Sequence, residues 1–274
     1  MKQERSRSRW PYSDAGLAAS YDRVAVPHLF AKPARDLVAI LRLPIGGRAL
    51  DAGTGTGAAA LAAAEAMGPD SLVVGLDRSA EMLGILKGKG MSAVVVGEVP
   101  GLPFRSMLFD GVLASFVLSH FSAYPAALAD MVRVLRPGGR LGATAWGSSQ
   151  NEFTQTWKEV AATFYSAKHL DQAFRDVVPW DEWFSKGTRL EEAFKDAELV
   201  NVELGRREYA VSIKLTDFLS LREASVEATT LRQNLEKEQW HKFKQQVIDV
   251  FVARFKEPIE YTREVHLCVG AKPQ

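Results

Sequence analysis

The stretch "LDAGTGTGAAALAAA" (Leu50–Ala64) is where the chain declares its fold. The apolar run "GRALDAG" reads as a strand that ends at Asp51, and "AAALAAAEAM" reads as the helix that follows. Between them Gly53, Gly55 and Gly57 fall at every second position. Glycines there permit positive φ and leave no Cβ between the backbone and a ligand. The start of the next helix adds free amides and a partial positive charge. The loop by itself leaves its ligand open, because Gly53, Gly55 and Ala58 also satisfy the dinucleotide pattern G-x-G-x-x-G/A.

Outward from the loop, residues 35–146 alternate between helix-like and strand-like segments. "RDLVAILRL" is a predicted helix, "SLVVGLD" a strand, and "SAEMLGILKGKG" a helix capped by Ser79. "SAVVVGEV" and "FDGVLASF" have strand length, "PAALADMVRVLR" is an amphipathic helix opened by Pro125, and "GRLGATAW" is another buried strand. Strands that are apolar throughout and alternate with helices predict an α/β fold, a parallel sheet covered on both faces. Residues 151–198 read as helical and rich in aromatics, from Phe153 and Trp157 to Trp183 and Phe184. "LVNVELGRREYAV" alternates as a strand, residues 216–256 return to helix, and "EVHLCVGA" is a last strand. The expected organisation is one sheet domain with helical insertions forming a cap.

Composition sets the outer limits. The chain has 274 residues and a formal net charge of +1, which gives no global reason to expect nucleic acid as a partner. The start, "MKQERSRSRW", places Arg5, Arg7 and Arg9 among serines, as an arm for an anionic surface would. Short termini rarely order, so a polar tail is the stronger expectation. No apolar run follows it as in a secretory signal, and no stretch is long enough to span a bilayer. The single cysteine, Cys268, excludes an internal disulfide and suits a cytoplasmic protein with a buried structural thiol.

Asp77 ends the second strand, where an acid can hold the two hydroxyls of a ribose, but a dinucleotide site would use its acid in the same way. Three further features narrow the choice of ligand. Asp51, just before the glycines, would repel a pyrophosphate but suits a cationic amino group. "GEVPGLPF" follows the third strand and puts Glu98 where an acid could meet an exocyclic adenine amine, and "LRPGGRL" leads into the fifth strand. In this order and spacing residues 45–146 resemble the class I S-adenosylmethionine-dependent methyltransferases, within them the small-molecule group similar to the ubiquinone-biosynthesis enzymes. The pattern is LDxGxGTG, then D, then G-D/E-x-x-x-L-P-F, then FD, then LRPGG. The resemblance implies a Rossmann-like, seven-stranded, mostly parallel sheet. It divides the chain into an N-terminal helical lid at 1–34, a cofactor core at 35–147, and a C-terminal part at 148–274 with cap insertions at about 151–198 and 216–256.

The resemblance also implies a site. Asp51 and the loop Gly53, Thr54, Gly55 and Gly57 would hold the methionine end of S-adenosylmethionine. Asp77 would bind the ribose, Arg78 and Met82 would border the adenine, and Glu98 and Val99 would meet its edge. Ser115 would face the methionine portion, and Tyr21 would cover the cofactor, with aromatic packing as its alternative role. S-adenosylhomocysteine is the implied product. Phe116, Tyr21 and Trp146 are candidates to lie against a sulfonium, and core packing is the alternative for each. His120 is the titratable group just past the fourth strand, and so the candidate general base. His28 belongs to the N-terminal edge.

Missing motifs point to a small organic acceptor, and the excess of tryptophan and phenylalanine over 151–184 favours a partly hydrophobic one, with burial of the sheet edge as the alternative role of those residues. "ASFVLSHF" holds no [D/N/S]-P-P-[Y/F] tetrapeptide, Cys268 sits in the wrong element for a cytosine-carbon nucleophile, and no metal-ligating cluster is legible. Neither a nucleic acid nor a membrane is expected as a partner, and oligomeric state is not legible. Two other readings stay open. A nicotinamide-dependent oxidoreductase is disfavoured by Asp51 and by the lack of a Tyr-x-x-x-Lys pair. A non-catalytic S-adenosylmethionine-binding regulator has the weak case for a base in its favour.

Overall fold

The structure, a computed structural model, describes residues 14–148 and 151–274. The arginine-rich start lies outside the described residues. The N-terminal helix α1 (Ala15–Ser20) is capped by Asp14, whose side chain accepts from Leu17 N. It continues through a π-helical stretch (Tyr21–Phe30) into α2 (Ala31–Leu41), which ends on Arg42 in the left-handed region.

The first half then alternates as expected: β1 (Arg48–Ala52), α3 (Ala58–Met67), β2 (Leu72–Asp77), α4 (Ala80–Gly88), β3 (Val94–Val96), β4 (Phe109–Ser115), α5 (Tyr124–Val134) and β5 (Leu135–Trp146). Four helices follow, α6 (Glu152–Phe164), α7 (Ala167–Val177), α8 (Asp181–Phe184) and α9 (Gly187–Asp196). Strand β6 (Val200–Ile213) leads into α10 (Leu215–Glu223), α11 (Val226–Asn234) and α12 (Lys237–Arg254), and β7 (Ile259–Ala271) closes the chain.

The seven strands lie in the order β3-β2-β1-β4-β5-β7-β6. The first five are parallel, and β7 runs antiparallel to both β5 and β6. This is the mostly parallel, seven-stranded sheet that the resemblance implies. Strand order reverses between β1 and β4, and in open α/β sheets that reversal leaves a crevice beyond the carboxyl ends of the strands. Asp51, Asp77 and Ser115 all stand at those ends.

Two apolar layers cover the sheet. One face packs Leu50, Val112 and Leu141 against α5 and α9, and the other packs Ala49, Leu113 and Leu267 against α2 and α3. A third apolar cluster belongs to the cap: Trp157, Phe218, Phe243 and Phe251 pack with Val211, Ile213 and Ile259. The last three lie on the far part of the β6–β7 ribbon, which pairs on to Ile213↔Ile259 although β5 pairs with β7 only as far as Trp146↔Val265. The ribbon therefore carries α10–α12 outward from the sheet.

Cys268 is buried, as expected, and burial pushes its thiol up to about 12. That makes it a poor nucleophile at neutral pH.

Candidate active site

The glycine loop closes tightly on its surroundings. Gly53, Gly55 and Gly57 have φ of +78°, +56° and +93°. A Cβ on Gly53 would stand 2.4 Å from Val117 Cγ2, so the residue after Phe116 fixes glycine there as firmly as the dihedral does. Both Gly53 N and Thr54 N donate to Leu76 O, at 2.8 and 2.9 Å, which draws the loop across the end of β2.

Two acids flank this loop, Asp51 buried and Asp77 half-buried. Asp51 is fully buried; its Oδ2 accepts from Thr54 Oγ1 at 2.7 Å, while Oδ1 accepts no well-formed hydrogen bond. Burial pushes its carboxyl up to about 7, against the opposing pull of Thr54 and of the Ala60 backbone in the first turn of α3. Asp77 accepts from Gly55 N at 2.8 Å and from Ser79 N at 2.9 Å. Burial raises its pKa too, and those amides hold it back. Each carboxylate oxygen has a second lone pair, so Asp77 keeps acceptor capacity for hydroxyl donors.

Arg78, Ser79 and Met82 follow directly from β2. Ser79 Oγ caps α4 by accepting from Met82 N, and Met82 is buried while Arg78 is exposed. The loop after β3 is braced from α5: Asp130 Oδ2 accepts from Gly101 N and Leu102 N at 2.6 and 2.7 Å, and Arg133 donates to Phe104 O and Leu102 O. This bracing sets the backbone of Glu98, which is exposed, and Val99, which is buried.

An aromatic wall stands beside the loop. Phe116, at φ +55°, is a bulky residue in a left-handed conformation, the kind of strain that neighbours must enforce. Thr144 Oγ1 accepts from its amide at 3.0 Å and also lies 3.4 Å from Ser115 Oγ. The Phe116 ring stacks on Trp146 with centroids 4.2 Å apart. Phe30 touches both rings, and Tyr21 packs on Phe30. Tyr21 Cε1 also lies 4.0 Å from where a Gly55 Cβ would be. Lys89 ties this N-terminal segment down by pairing with Asp22 and donating to Thr56 O. Tyr21, Phe116 and Trp146 are thus brought together, joined by Phe30, which sequence reasoning missed. No spacing signal pointed to Phe30, because nine residues on an α-helix would put it on the face opposite Tyr21; the wider π-helical winding brings the two rings together.

His120 lies in a short 3-10 turn (Leu118–His120). Its ring is hydrogen-bonded to the Val177 backbone at the end of α7. Burial, aided by the charge of Arg78, lowers its pKa to about 4, so it is neutral at physiological pH. His28 is half-buried in the π-helical stretch.

Two sequence features lie elsewhere. Arg136 of "LRPGGRL" pairs with Asp110 at the opposite end of the sheet, where a concavity of about 430 Å³ is lined by Pro44, Gly47, Arg48 and Arg136. Asp110 also accepts from Arg48 N, so that acid is engaged in bracing the strand ends. Among the described residues no cluster of three metal-ligating side chains occurs, and no helix is long and apolar enough to cross a membrane.

The geometry fits S-adenosylmethionine: a buried carboxylate oxygen without a partner, a glycine cradle, and an acid at the ribose position. Comparison with known proteins agrees. Residues 50–143 match the family described as "Methyltransferase domain", and residues 3–89 match "Protein-L-isoaspartate(D-aspartate) O-methyltransferase". A demethylmenaquinone methyltransferase of Geobacillus kaustophilus is 36% identical over 132 residues, 45% of this chain and 56% of that protein. The chain therefore spans little more than half of that relative's length. A demethylmenaquinone methyltransferase of Listeria monocytogenes is 31% identical over 180 residues, 62% of this chain and 71% of that protein.

The chain belongs to the class I S-adenosylmethionine-dependent methyltransferases.

Solved structures share the fold of this methyltransferase. A phosphoethanolamine N-methyltransferase of Haemonchus contortus, solved with S-adenosylhomocysteine, aligns over 94% of this chain and 57% of that one, with TM-score 0.56 and 17% identity. The YcgJ protein of Bacillus subtilis aligns over 89% of this chain and 99% of that one, with TM-score 0.52 and 17% identity.

Proposed function

We propose that this methyltransferase methylates a small, partly hydrophobic organic molecule held between the Phe116–Trp146 wall and the helical cap. The observation that carries the reading is that stack, 4.2 Å between centroids, standing beside the glycine loop at the carboxyl ends of β4 and β5. When bound, S-adenosylmethionine supplies an electrophilic methyl for in-line displacement. The protein's part is to align the acceptor and exclude water.

In this reading Asp51 and the amides around Gly53, Thr54, Gly55 and Gly57 hold the amino and carboxylate groups of methionine. Asp77 takes the ribose hydroxyls, Arg78 and Met82 border the adenine, and Glu98 and Val99 meet its edge. Ser115 faces the methionine portion, and Tyr21 closes over it. His120 is neutral at physiological pH, and because burial lowers its pKa to about 4 it is a weak base that suits an acceptor whose proton is already acidic. The names of the demethylmenaquinone relatives favour an apolar ring system as the acceptor's scaffold.

Calorimetry with S-adenosylhomocysteine, paired with transfer of labelled methyl to small-molecule extracts, tests this. Asp77→Ala is expected to weaken S-adenosylhomocysteine binding by roughly 10- to 100-fold through loss of charge-assisted hydrogen bonds. His120→Gln is expected to lower kcat and leave that affinity unchanged. Lack of S-adenosylhomocysteine binding by the unaltered protein would refute the assignment, and binding without label transfer would favour a regulator.

A further inference from the structure

We propose that the methyl acceptor carries a carboxylate and that Arg263 receives it. This rests on the methyltransferase reading and names a chemical class for its substrate. The guanidinium carbon of Arg263 lies 4.2 Å from the centroid of Trp146, on the stack that continues through Phe116. Val117, the residue after Phe116, presses against Gly53. Arg263 thus stands over the aromatic wall that begins at the glycine loop.

The charge of Arg263 lacks a close counter-ion. Its Nε is buried without a hydrogen-bond partner, and among the described residues no carboxylate lies within 4 Å of its guanidinium. Asp181 and Tyr261 are near enough to favour its charge, but burial dominates and lowers its pKa, with Arg222 adding repulsion. Arg222 is a second half-buried guanidinium, stacked 4.4 Å from the centroid of Trp157, and its Nε is also buried without a partner. Unlike Arg263 it is engaged by Glu227 at 3.4 Å, a carboxylate that Lys158 also approaches at 3.7 Å. The polar junction between sheet and cap therefore holds three cations, Arg222, Arg263 and Lys158, with three acids; Glu227 approaches Arg222 and Lys158, Asp171 lies 3.9 Å from Lys158, and only Asp181, beyond ion-pair distance, faces Arg263. Burial raises the pKa of Asp181, which weakens the acidic side further.

Arg263 is half-buried with its Nε fully shielded, and a partly desolvated charge without a close counter-ion is costly unless something pairs with it. Arginine presents a planar fork suited to a carboxylate, and Arg263 is held against the Trp146 ring, 4.2 Å from its centroid. On β7, Arg263 shares the inward face with Val265, Leu267 and Val269, all of which are buried, so the alternation of the strand would ordinarily place an apolar residue there. The chain keeps a cation at a core-facing position, and a ligand's carboxylate accounts for it.

The test uses full-length protein saturated with S-adenosylhomocysteine and follows tryptophan fluorescence, with calorimetry as a second readout. The probes are 1-hydroxy-2-naphthoate and the uncharged 1-hydroxy-2-naphthamide, with inorganic phosphate as a free-anion control. The naphthoate is expected to bind about 10-fold or more tightly than the amide, as a charge-assisted hydrogen bond requires. Arg263→Gln is expected to abolish the preference while S-adenosylhomocysteine affinity stays the same; Arg263→Lys is expected to retain part of it. Thermal unfolding of Arg263→Gln is expected at the same or a higher temperature, because a partly desolvated charge without a close counter-ion is removed. Equal affinity for the two probes, no binding of either at millimolar concentration, a preference that survives Arg263→Gln, or phosphate binding as tightly as the naphthoate would each overturn the proposal. If S-adenosylhomocysteine itself fails to bind, the methyltransferase reading falls along with this one. Intact S-adenosylhomocysteine binding without a carboxylate preference removes only this inference.

Discussion

Backbone atoms shape the glycine-loop edge of the sheet, whereas side chains hold the cap together. At the loop the contacts are amides reaching Leu76 O and Asp77, and close approaches that leave no room for a Cβ. In the cap, rings pack on rings: Trp157 lies against Phe243, and Phe218 against Phe251, with centroids 5.5 Å apart in both cases. A backbone site tolerates almost no change at its glycines but reads no particular acceptor. A side-chain assembly can be repacked, and so can set specificity while the cofactor end stays fixed.

The largest expected effect tests whether the two regions are separable. Trp157 is buried at the centre of the cap cluster and also supports the guanidinium of Arg222. Trp157→Ala is expected to cost roughly 3–5 kcal/mol in denaturant unfolding, the range for deleting a large buried aromatic. Its affinity for S-adenosylhomocysteine should change little in protein that remains folded. A collapse of that affinity would mean that the cap helps form the cofactor site, and the contrast drawn above would break.

A smaller effect is expected at the loop. Gly53→Ala forces a left-handed φ on an L-residue and drives a Cβ into Val117. Together these should cost about 2–4 kcal/mol. Unlike the cap variant, it should weaken S-adenosylhomocysteine binding in calorimetry. Pairing it with Val117→Ala relieves the clash but not the dihedral, so the double variant should recover stability in part. Full recovery would show that φ at Gly53 matters less than the contact.

These two regions also differ in how far they were legible. In the first half, the elements from β1 to β5 follow from apolar runs, except that β5 begins at Leu135, inside the "LRPGG" that reads as the connection into it, and Asp51, Asp77 and Ser79 take the places their sequence positions suggest, because each stands one or two residues from a strand end. Order in sequence there is nearly order in space. The cap offers no such shortcut. Residues 216–256 read as helix, yet the structure divides them among α10, α11 and α12, and β7 begins at Ile259, before the alternating run "EVHLCVGA". Arg263 and Arg222 were missed because their environment is tertiary: 40 residues separate them, and only the packing of the cap cluster brings their charges near each other. A charged residue at an inward position of an alternating strand was the available signal. "LRPGG" had the opposite outcome, a strong motif that lies at the other end of the sheet and braces strands through Arg136 and Asp110.

The smallest expected effect concerns Asp51, the buried acid at the loop whose ionisation is expected to respond to pH. Its folded pKa of about 7 lies above an unfolded value near 3.9. Between those values the folded protein holds the extra proton, so the contribution of Asp51 to the stability of the free protein falls as pH rises through that window. Binding has the opposite sign. The methionine amino group is a cation and pairs with the ionised carboxylate, so S-adenosylhomocysteine affinity should rise with pH up to about 7 and then level off. The slope below that point should approach tenfold per unit, or about 1.4 kcal/mol. Calorimetry from pH 5.5 to 8.5 measures it, and Asp51→Asn should flatten the profile. A profile equally steep in Asp51→Asn would assign the titration to another group, with Asp77 the next candidate because burial raises its pKa as well.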